Sequence, residues 1–454
     1  MVRIRPISYQ VLLTPLVAKN TYGTEIDITK DVEIDDYIKQ KSINSISREI
    51  DNGDFDIGVY VFNSVDITCL NSTGMFSDPM DSRSIFKYSR DKAKIVINFF
   101  DGLSNTSKIS FKGMIDDRAS KADFNKKEVK FKILSRDAIF NKSKVSGGTI
   151  ATSSLCSVAI NSILNQADIM AVLNYDPAKI VVQKDFVIDD PTKLEGQSVK
   201  DALDKLLSAC NSVLTIDSTD TIIVADRTHI SGTIFNLYGP GDLFNRENII
   251  ELSEYNTGLQ RAFTAFESDG LEVSDMGMID CCGSNIKSVD LDFVTNTTTK
   301  TEILQNLLDN WKIPKIELEV KCRTKEVKDL DFFDLVSIDY PYQYKPYAGN
   351  RLPLYGSAIY GSAVYPQTIG MMKISPKIAF KIVGIREDPK DFTTTLKLRQ
   401  TGISIDDGNF ATLGTYYGSA AYGRSVYQYD PNLIDPNRIS VYGAGRYGTI
   451  IYRE

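Results

Sequence analysis

The chain has 454 residues, 42% of them hydrophobic and 24% charged, which suggests roughly three domains of ordinary globular composition. A net charge of −7 and a pI near 5.1 imply no basic surface for sequence-specific nucleic-acid binding. No stretch approaches the roughly 20 apolar residues that span a bilayer, and MVRIRPISYQVLLTP carries only a short apolar run, so neither stable membrane insertion nor export by the usual route is expected.

The opening residues 8–34 alternate weakly and read as one or two strands. Residues 34–77 are short alternating runs broken by Asn-Gly, Asp-Ile-Gly and Asn-Ser-Thr-Gly. Residues 93–100 (AKIVINFF) and 107–115 (SKISFKGMI) are clear strands, so 1–145 reads as a β-barrel or sandwich ending before the Ser-Gly-Gly turn at 146–148. Residues 154–170 then place Leu155, Val158, Ala159, Ser162 and Ile163 on one helical face. Residues 199–211 do the same with Val199, Leu203, Leu206, Leu207 and Cys210, with Ser198 as N-cap and Asp201 in the first turn. A hairpin of Val213–Ile216 and Thr221–Ala225 follows, so 146–230 is a small α+β unit.

Within 231–402, short strands are expected at Ile249–Leu252 and Ala262–Phe266. A helix over 299–311 turns Ile303, Leu304, Leu307, Leu308 and Trp311 to one side and ends before Pro314. KIELEVKC (315–322) alternates cleanly, and DFFDLVSIDYP is a strand stopped by Pro341. This region reads as a second β-domain with an insertion near 342–370.

Two stretches share a pattern. FKGMIDDRASKADFNKKEVKFKI (111–133) and FKIVGIREDPKDFTTTLKLR (380–399) both begin Phe-Lys, pass an Asp-rich segment to Asp-Phe, and leave on alternating apolar residues. Each is a β-hairpin with one buried face, so the chain carries two similar β-domains. The expected fold is mainly β with an α+β insertion: two similar β-barrel domains, 1–145 and 231–402, a small helix-hairpin domain at 146–230, and a C-terminal module at 403–454.

That last module contains a second repeat. YGSAIYGSAVY (355–365), YGSAAYGRSVY (417–427) and YGAGRYGTIIY (442–452) all fit Y-G-x-x-x-Y-G-x-x-x-Y. The five-residue period fits neither helix nor strand, and each Gly permits a tight turn that leaves a ring to pack. Tyr355, Tyr360, Tyr365, Tyr417, Tyr422, Tyr427, Tyr442, Tyr447 and Tyr452 are therefore candidate interaction residues. Self-packing of a thin module and docking of another subunit both account for them, and sugar stacking is a third reading that lacks the fixed polar groups it needs.

Chemistry-bearing motifs are wanting. The literal G-x-G-x-x-G at 443–448 has no room for the helix and acidic residue that the mechanism needs before Glu454. Residues 51–56 lack calcium-loop spacing, and Asp406-Asp407 is a turn. His229 is the only His and reads as a loop-edge residue. The six cysteines lack C-x-x-C spacing and read as free thiols, with Cys281-Cys282 expected on a strand, one side chain in and one out. No catalytic residue, metal site or cofactor is assigned.

FKIVGIREDPKDFTTTLKLRQTGI preceded by DFFDLVSIDYP, SISREIDNGDFDIGVYVFNSVDITCLNSTGMFS followed by KISFKGMID, and VKDALDKLLSACNSVLTIDSTDTIIVADR resemble phage tail-hub or baseplate-hub proteins over most of 30–402. The resemblance implies a non-enzymatic virion protein, made in the host cytoplasm and located in the tail. It implies a homotrimer whose paired barrels give a pseudo-sixfold ring between a sixfold tail-tube protein and a spike or tip protein, with DNA passing through. The Tyr-Gly tail departs from the simplest hubs and is expected to meet tail fibres or neighbouring subunits. A fibre adapter acting through 403–454 is the alternative, and a cell-wall hydrolase a third.

Overall fold

The computed structural model describes residues 7–412, except 16–30, 40, 51–56, 78–79, 87–92, 103–105, 218, 228, 230, 240–245, 257–262, 313–316, 340, 344–370, 374–377 and 407–408. The first sheet has six strands in the order Val32–Glu33, Ser8–Thr14, Lys94–Asp101, Thr106–Asp123, Glu128–Ser135, Val65–Leu70. Alternation sets its sidedness. Val11, Leu13, Ile95, Ile97, Phe111, Ile115, Val129, Phe131, Ile133, Val65 and Ile67 are all buried in one cluster. Phe76 and Phe86 cover that face, edge-on to Phe131 at 5.9 and 6.1 Å. Each such fully buried ring contributes about 1.5–3 kcal/mol.

The second sheet has eleven strands. Its main path runs Ile222–Asp226, Ser212–Ile216, Gly58–Phe62, Ile46–Ile50, Ile378–Asp388, Thr393–Asp406, Glu317–Arg323, Ile249–Asn256. Asp334–Asp339 also pairs with Ile378–Asp388 and carries Ser231–Tyr238 beside it.

Four strands of each sheet repeat one arrangement. In the first sheet they are Lys94–Asp101, Thr106–Asp123, Glu128–Ser135 and Val65–Leu70. In the second they are Asp334–Asp339, Ile378–Asp388, Thr393–Asp406 and Glu317–Arg323. Every pair is antiparallel, and the strand earliest in sequence lies beside the last, a Greek-key order read from its far end. Phe111 opposite Ile97 and Phe380 opposite Val336 hold the same place. The two hairpins expected from sequence are thus the centres of two similar sheets, each curled into a half-barrel. Their turns are closed alike. Asp123 accepts the N–H of Asn125 and of Lys126, and Asp388 accepts that of Lys390, while Lys127 and Phe392 adopt φ of 53° and 55°. Such left-handed backbone costs about 1–2 kcal/mol per residue, sustained here by the ladders on both sides.

The helical unit follows the sequence pattern with one change of face. Ser198 Oγ accepts the Asp201 N–H at 3.1 Å and caps Val199–Ala209, whose Val199, Leu203, Leu206 and Leu207 are buried, as is the following Cys210. In Cys156–Leu164 the buried residues are Cys156, Ala159, Ile160, Ile163 and Leu164. Leu155 and Val158, expected inside, are 42% and 49% exposed. Cys156, Ile160, Ile163 and Leu164 fall at i, i+4, i+7 and i+8, a more apolar stripe than the expected one, and the helix turns it inward.

Two segments lie elsewhere than the sequence pattern assigns them. The Ile46–Ile50 and Gly58–Phe62 hairpin, read as part of the first β-domain, pairs with Ile378–Asp388 and, in parallel, with Ser212–Ile216. It staples the second sheet to the helical unit. Residues 263–311, read as part of the second β-domain, bury Phe263, Phe266, Leu291, Phe293 and the Thr297–Trp311 helix in the same core as Cys156–Leu164 and Val199–Ala209. Cys281 and Cys282 end the helix Met276–Cys282 rather than sitting on a strand, because Asp275 accepts the Met278 N–H and starts a helical turn there.

Gly113 is a close-approach position. A Cβ there would meet the Leu134 carbonyl oxygen at 2.5 Å and the Phe111 ring at 2.7 Å, whereas one on Gly384 would meet only the flexible Lys397 stem at 3.1 Å. Gly113→Ala is expected to destabilise by about 1–3 kcal/mol and Gly384→Ala by less. Urea midpoints check this, and equal shifts for the two variants would contradict it.

Candidate functional site

The two half-barrels and the helical unit each have an apolar core, the second half-barrel's taking in Val213 and Ala225 of the helical unit's hairpin, and a set of polar groups ties the first half-barrel to the other two. On one side of the seam Tyr9, near the start of Ser8–Thr14, packs edge-on to Phe99 at 5.4 Å and stacks on Phe392 at 5.9 Å. Its hydroxyl donates to Glu387 Oε2 at 3.2 Å. Burial, then the Glu387 carboxylate, pushes the Tyr9 phenol well above its ordinary pKa, so it stays a donor throughout the physiological range.

Three further ties cross the seam. Lys108 Nζ donates to the Leu330 carbonyl at 2.9 Å, and Lys328 pairs with Asp101 at 3.3 Å. Asp220, in the turn of the helical unit's hairpin, takes Lys112 at 3.0 Å together with Arg136. Arg48 lies among them. It pairs with Asp331, donates to the Ile216 carbonyl at 3.1 Å and lies 4.1 Å over the Phe332 ring. Burial lowers its pKa to about 10, opposed by the Glu387 and Asp137 carboxylates, so it is still charged at neutral pH. Burial likewise lowers Lys108.

These groups enclose a cavity of about 60 Å³, lined by Arg48, Lys108, Arg136, Asp137, Asp220 and Glu387 among others. That is room for roughly four waters at 10–15 Å³ each. Paired charges between apolar cores help fix the units' relative placement by their directional geometry. The seam's charged groups are largely paired across it. One sequence signal existed for it: Arg48 stands at an inward position of the alternation Ile46-Ser47-Arg48. Nothing local marked Tyr9, Asp220, Asp331 or Glu387, whose partners lie far away in sequence.

Among the described residues the one cluster with metal-ligand composition is Cys156, Asp185 and Cys210, whose ligand atoms lie within 4.8 Å of one another. Asp185 already accepts the Ser157 N–H at 3.0 Å, the Ser157 hydroxyl and the Phe186 N–H at 3.1 Å. It serves to cap the Cys156–Leu164 helix from a neighbouring loop. The hydrogen bond that the Cys210 S–H donates to Cys156, together with burial, pushes the Cys210 thiol up, and burial pushes Cys69 and Cys322 up to about 12. These are protonated core thiols, poor ligands and poor nucleophiles at neutral pH. His229 is exposed and meets Phe333 edge-on at 5.5 Å, in keeping with a loop-edge role. Among the described residues no helix is long and apolar enough to cross a membrane.

Tyr355, Tyr360, Tyr365, Tyr417, Tyr422, Tyr427, Tyr442, Tyr447 and Tyr452 lie outside the described residues. The points from which they leave are described. Pro341–Gln343 and Met371–Lys373 pair as a two-stranded ribbon flanking the first repeat, and Asn409–Thr412 precedes the other two. Ile378 pairs with Ser404 and Ser404 with Ala411, so the roots of these segments share one corner of the second sheet.

No protein-family model and no curated protein matches this chain in sequence. Solved structures do match in shape. The tail protein from Neisseria meningitidis aligns over 88% of this chain and 98% of its own, at 12% identity and a TM-score of 0.50. A 43 kDa prophage tail protein from Shewanella oneidensis aligns over 86% and 97% at 11% identity and a TM-score of 0.46. A prophage tail protein from Listeria monocytogenes aligns over 86% and 94% at 10% identity and a TM-score of 0.45. The likeness to the Neisseria protein gives the fold: this chain shares the fold of that tail protein over most of its length.

Proposed function

We propose that the chain is a structural, non-enzymatic protein of a phage-like tail, the homotrimeric hub of a tail tip or baseplate. One observation carries the reading: the same four-strand antiparallel order occurs twice in one chain, centred on Phe111 and on Phe380. Two like modules per chain let three copies present six similar faces, which is what a sixfold tail tube requires of a threefold spike or tip. In this reading each half-barrel is completed by neighbours in the ring, DNA passes through its centre, and the net charge of −7 keeps the channel from holding it. The partners are the tail-tube protein on one side and the spike or tip protein on the other, and the location is the virion tail.

A fibre adapter is the second reading, favoured by the closeness of Ile378, Ser404 and Ala411 at one corner of the second sheet, since the first Tyr-Gly repeat precedes Ile378 in sequence and the other two follow Thr412. In either reading the tyrosines of the repeats are the candidate docking residues for tail fibres or neighbouring subunits. Deleting the coding sequence separates the two. Loss of a hub leaves lysates of heads without assembled tails in electron micrographs. Tails of normal length that fail to adsorb would overturn the hub and support the adapter.

A further inference from the structure

Two places in this chain set like charges directly opposite each other, an arrangement that destabilises a sheet on its own. In the first hairpin, Lys121 on Thr106–Asp123 is the partner of Lys130 on Glu128–Ser135. The helical unit's core is covered by a three-stranded sheet in the order Leu271–Ser274, Ala265–Ser268, Ile286–Ser288, where Glu267 is the partner of Glu272. The surrounding composition sharpens both. Among the charged residues of 118–132 only Asp123 and Glu128 are acidic, and among those of 263–311 only Lys287 and Lys300 are basic.

The basic surface is open. Asp123 is taken up by the N–H groups of its turn and by Lys126, and Glu128 by Lys39 at 2.9 Å. Lys130 reaches Asp66 at 2.7 Å. Arg118, Lys121 and Lys127 are exposed and have no ion-pair partner among the described residues. Phe124, in the same turn as Lys127, is 88% exposed.

The acidic surface complements it. Alternation puts Glu267, Glu272, Ser274, Ile286 and Ser288 on one outward face, opposite the face that buries Phe266. Neither glutamate has an ion-pair partner among the described residues. Ile286, 46% exposed, stands one outward row from the glutamates, and Met276, 64% exposed, follows the same sheet in sequence. Carboxylates beside exposed apolar side chains thus face outward in one unit, and ammonium groups beside an exposed ring in another.

We propose that the Lys121 face of the first hairpin docks on the Glu267 and Glu272 face of a second copy of this chain. Both faces are open within one copy, and each like-charge pair would find its counter-charges in the other. The contact is heterologous, and heterologous contacts close into rings when the rotation per copy permits. The inference rests on the trimer reading, which supplies the second copy.

The test uses the full chain. Lys121→Glu sets a carboxylate opposite Lys130, and Glu272→Lys sets an ammonium group opposite Glu267. Each substitution relieves the repulsion in its own sheet, so neither should lower the urea midpoint at dilutions where the wild type is dissociated. Each should nonetheless raise the concentration for half-assembly, measured by sedimentation, about tenfold or more, because like charge then meets like charge between copies. Lys121→Glu combined with Glu272→Lys should restore assembly. In the wild type a zero-length carbodiimide should join Lys121 to Glu267 or Glu272 of another copy. Trimers that survive both single reversals unchanged, a combined variant no better than the singles, or Lys121 cross-links that map only elsewhere would overturn this contact and leave the trimer standing. A wild-type chain that never associates would overturn both.

Discussion

Trp311→Ala is expected to destabilise the protein by about 3–5 kcal/mol, the range for removing a fully buried aromatic side chain. Trp311 ends the Thr297–Trp311 helix and is 1% exposed. Its indole N–H donates to Asn211 Oδ1 at 3.1 Å, and its ring lies 5.9 Å from Phe263. Two guanidinium groups sit on it, Arg227 at 3.6 Å and Arg399 at 4.6 Å. The ring thus joins the helical unit's core to a strand of the second sheet, and its loss opens a cavity beside two buried cations. Trp311→Phe keeps an apolar ring under both and should cost less. Circular dichroism in urea reads both variants, while the single tryptophan of the wild type serves as an independent fluorescence probe. A change of under about 1 kcal/mol for the alanine variant would contradict this packing.

Next to that ring lies the pair expected to give the second largest effect. Arg399 and Glu317 face each other across neighbouring strands at 3.0 Å, with side chains only 7% and 3% exposed. Removing one partner of such a pair leaves a buried charge whose ionic partner is gone, which costs about 3–5 kcal/mol. Glu317→Ala should therefore cost about that much. Replacing both residues by leucine should recover most of it, because the desolvation cost of both ions disappears together. Arg399 also caps Trp311, so full recovery is not expected: a cation on a ring is worth about 0.5–2 kcal/mol. Urea titration of the single and double variants decides it. A double variant less stable than Glu317→Ala would contradict the account.

The hairpins were legible because their signals are local. Period-two apolar residues fix which face is buried, and an acidic residue before the tip supplies the turn bonds, as Asp123 and Asp388 do. The Val199–Ala209 and Thr297–Trp311 helices were legible from their stripes, and the first also from its Ser198 cap. Strand partnership was not legible. Alternation tells Ile46 and Arg48 which way to point, and says nothing about whether the strand pairs with Ser8–Thr14 or with Ile378–Asp388. The choice is made by non-local contacts such as Ile385 opposite Arg48. Core sharing escaped for the same reason: residues 263–311 look like more of the second β-domain until Phe263 and Trp311 are seen against the helical unit. The seam was hidden almost entirely, because its charges pair across long sequence separations and only Arg48 broke a local rule.

Native mass of the purified full-length chain at high concentration, with electron micrographs of the same sample, tests the central claim most directly. Paired modules in one chain predict a particle of three times the 50.6 kDa chain mass, seen end-on as a ring of six similar lobes. A particle of one chain mass at every concentration, or a ring without alternating like lobes, would contradict it.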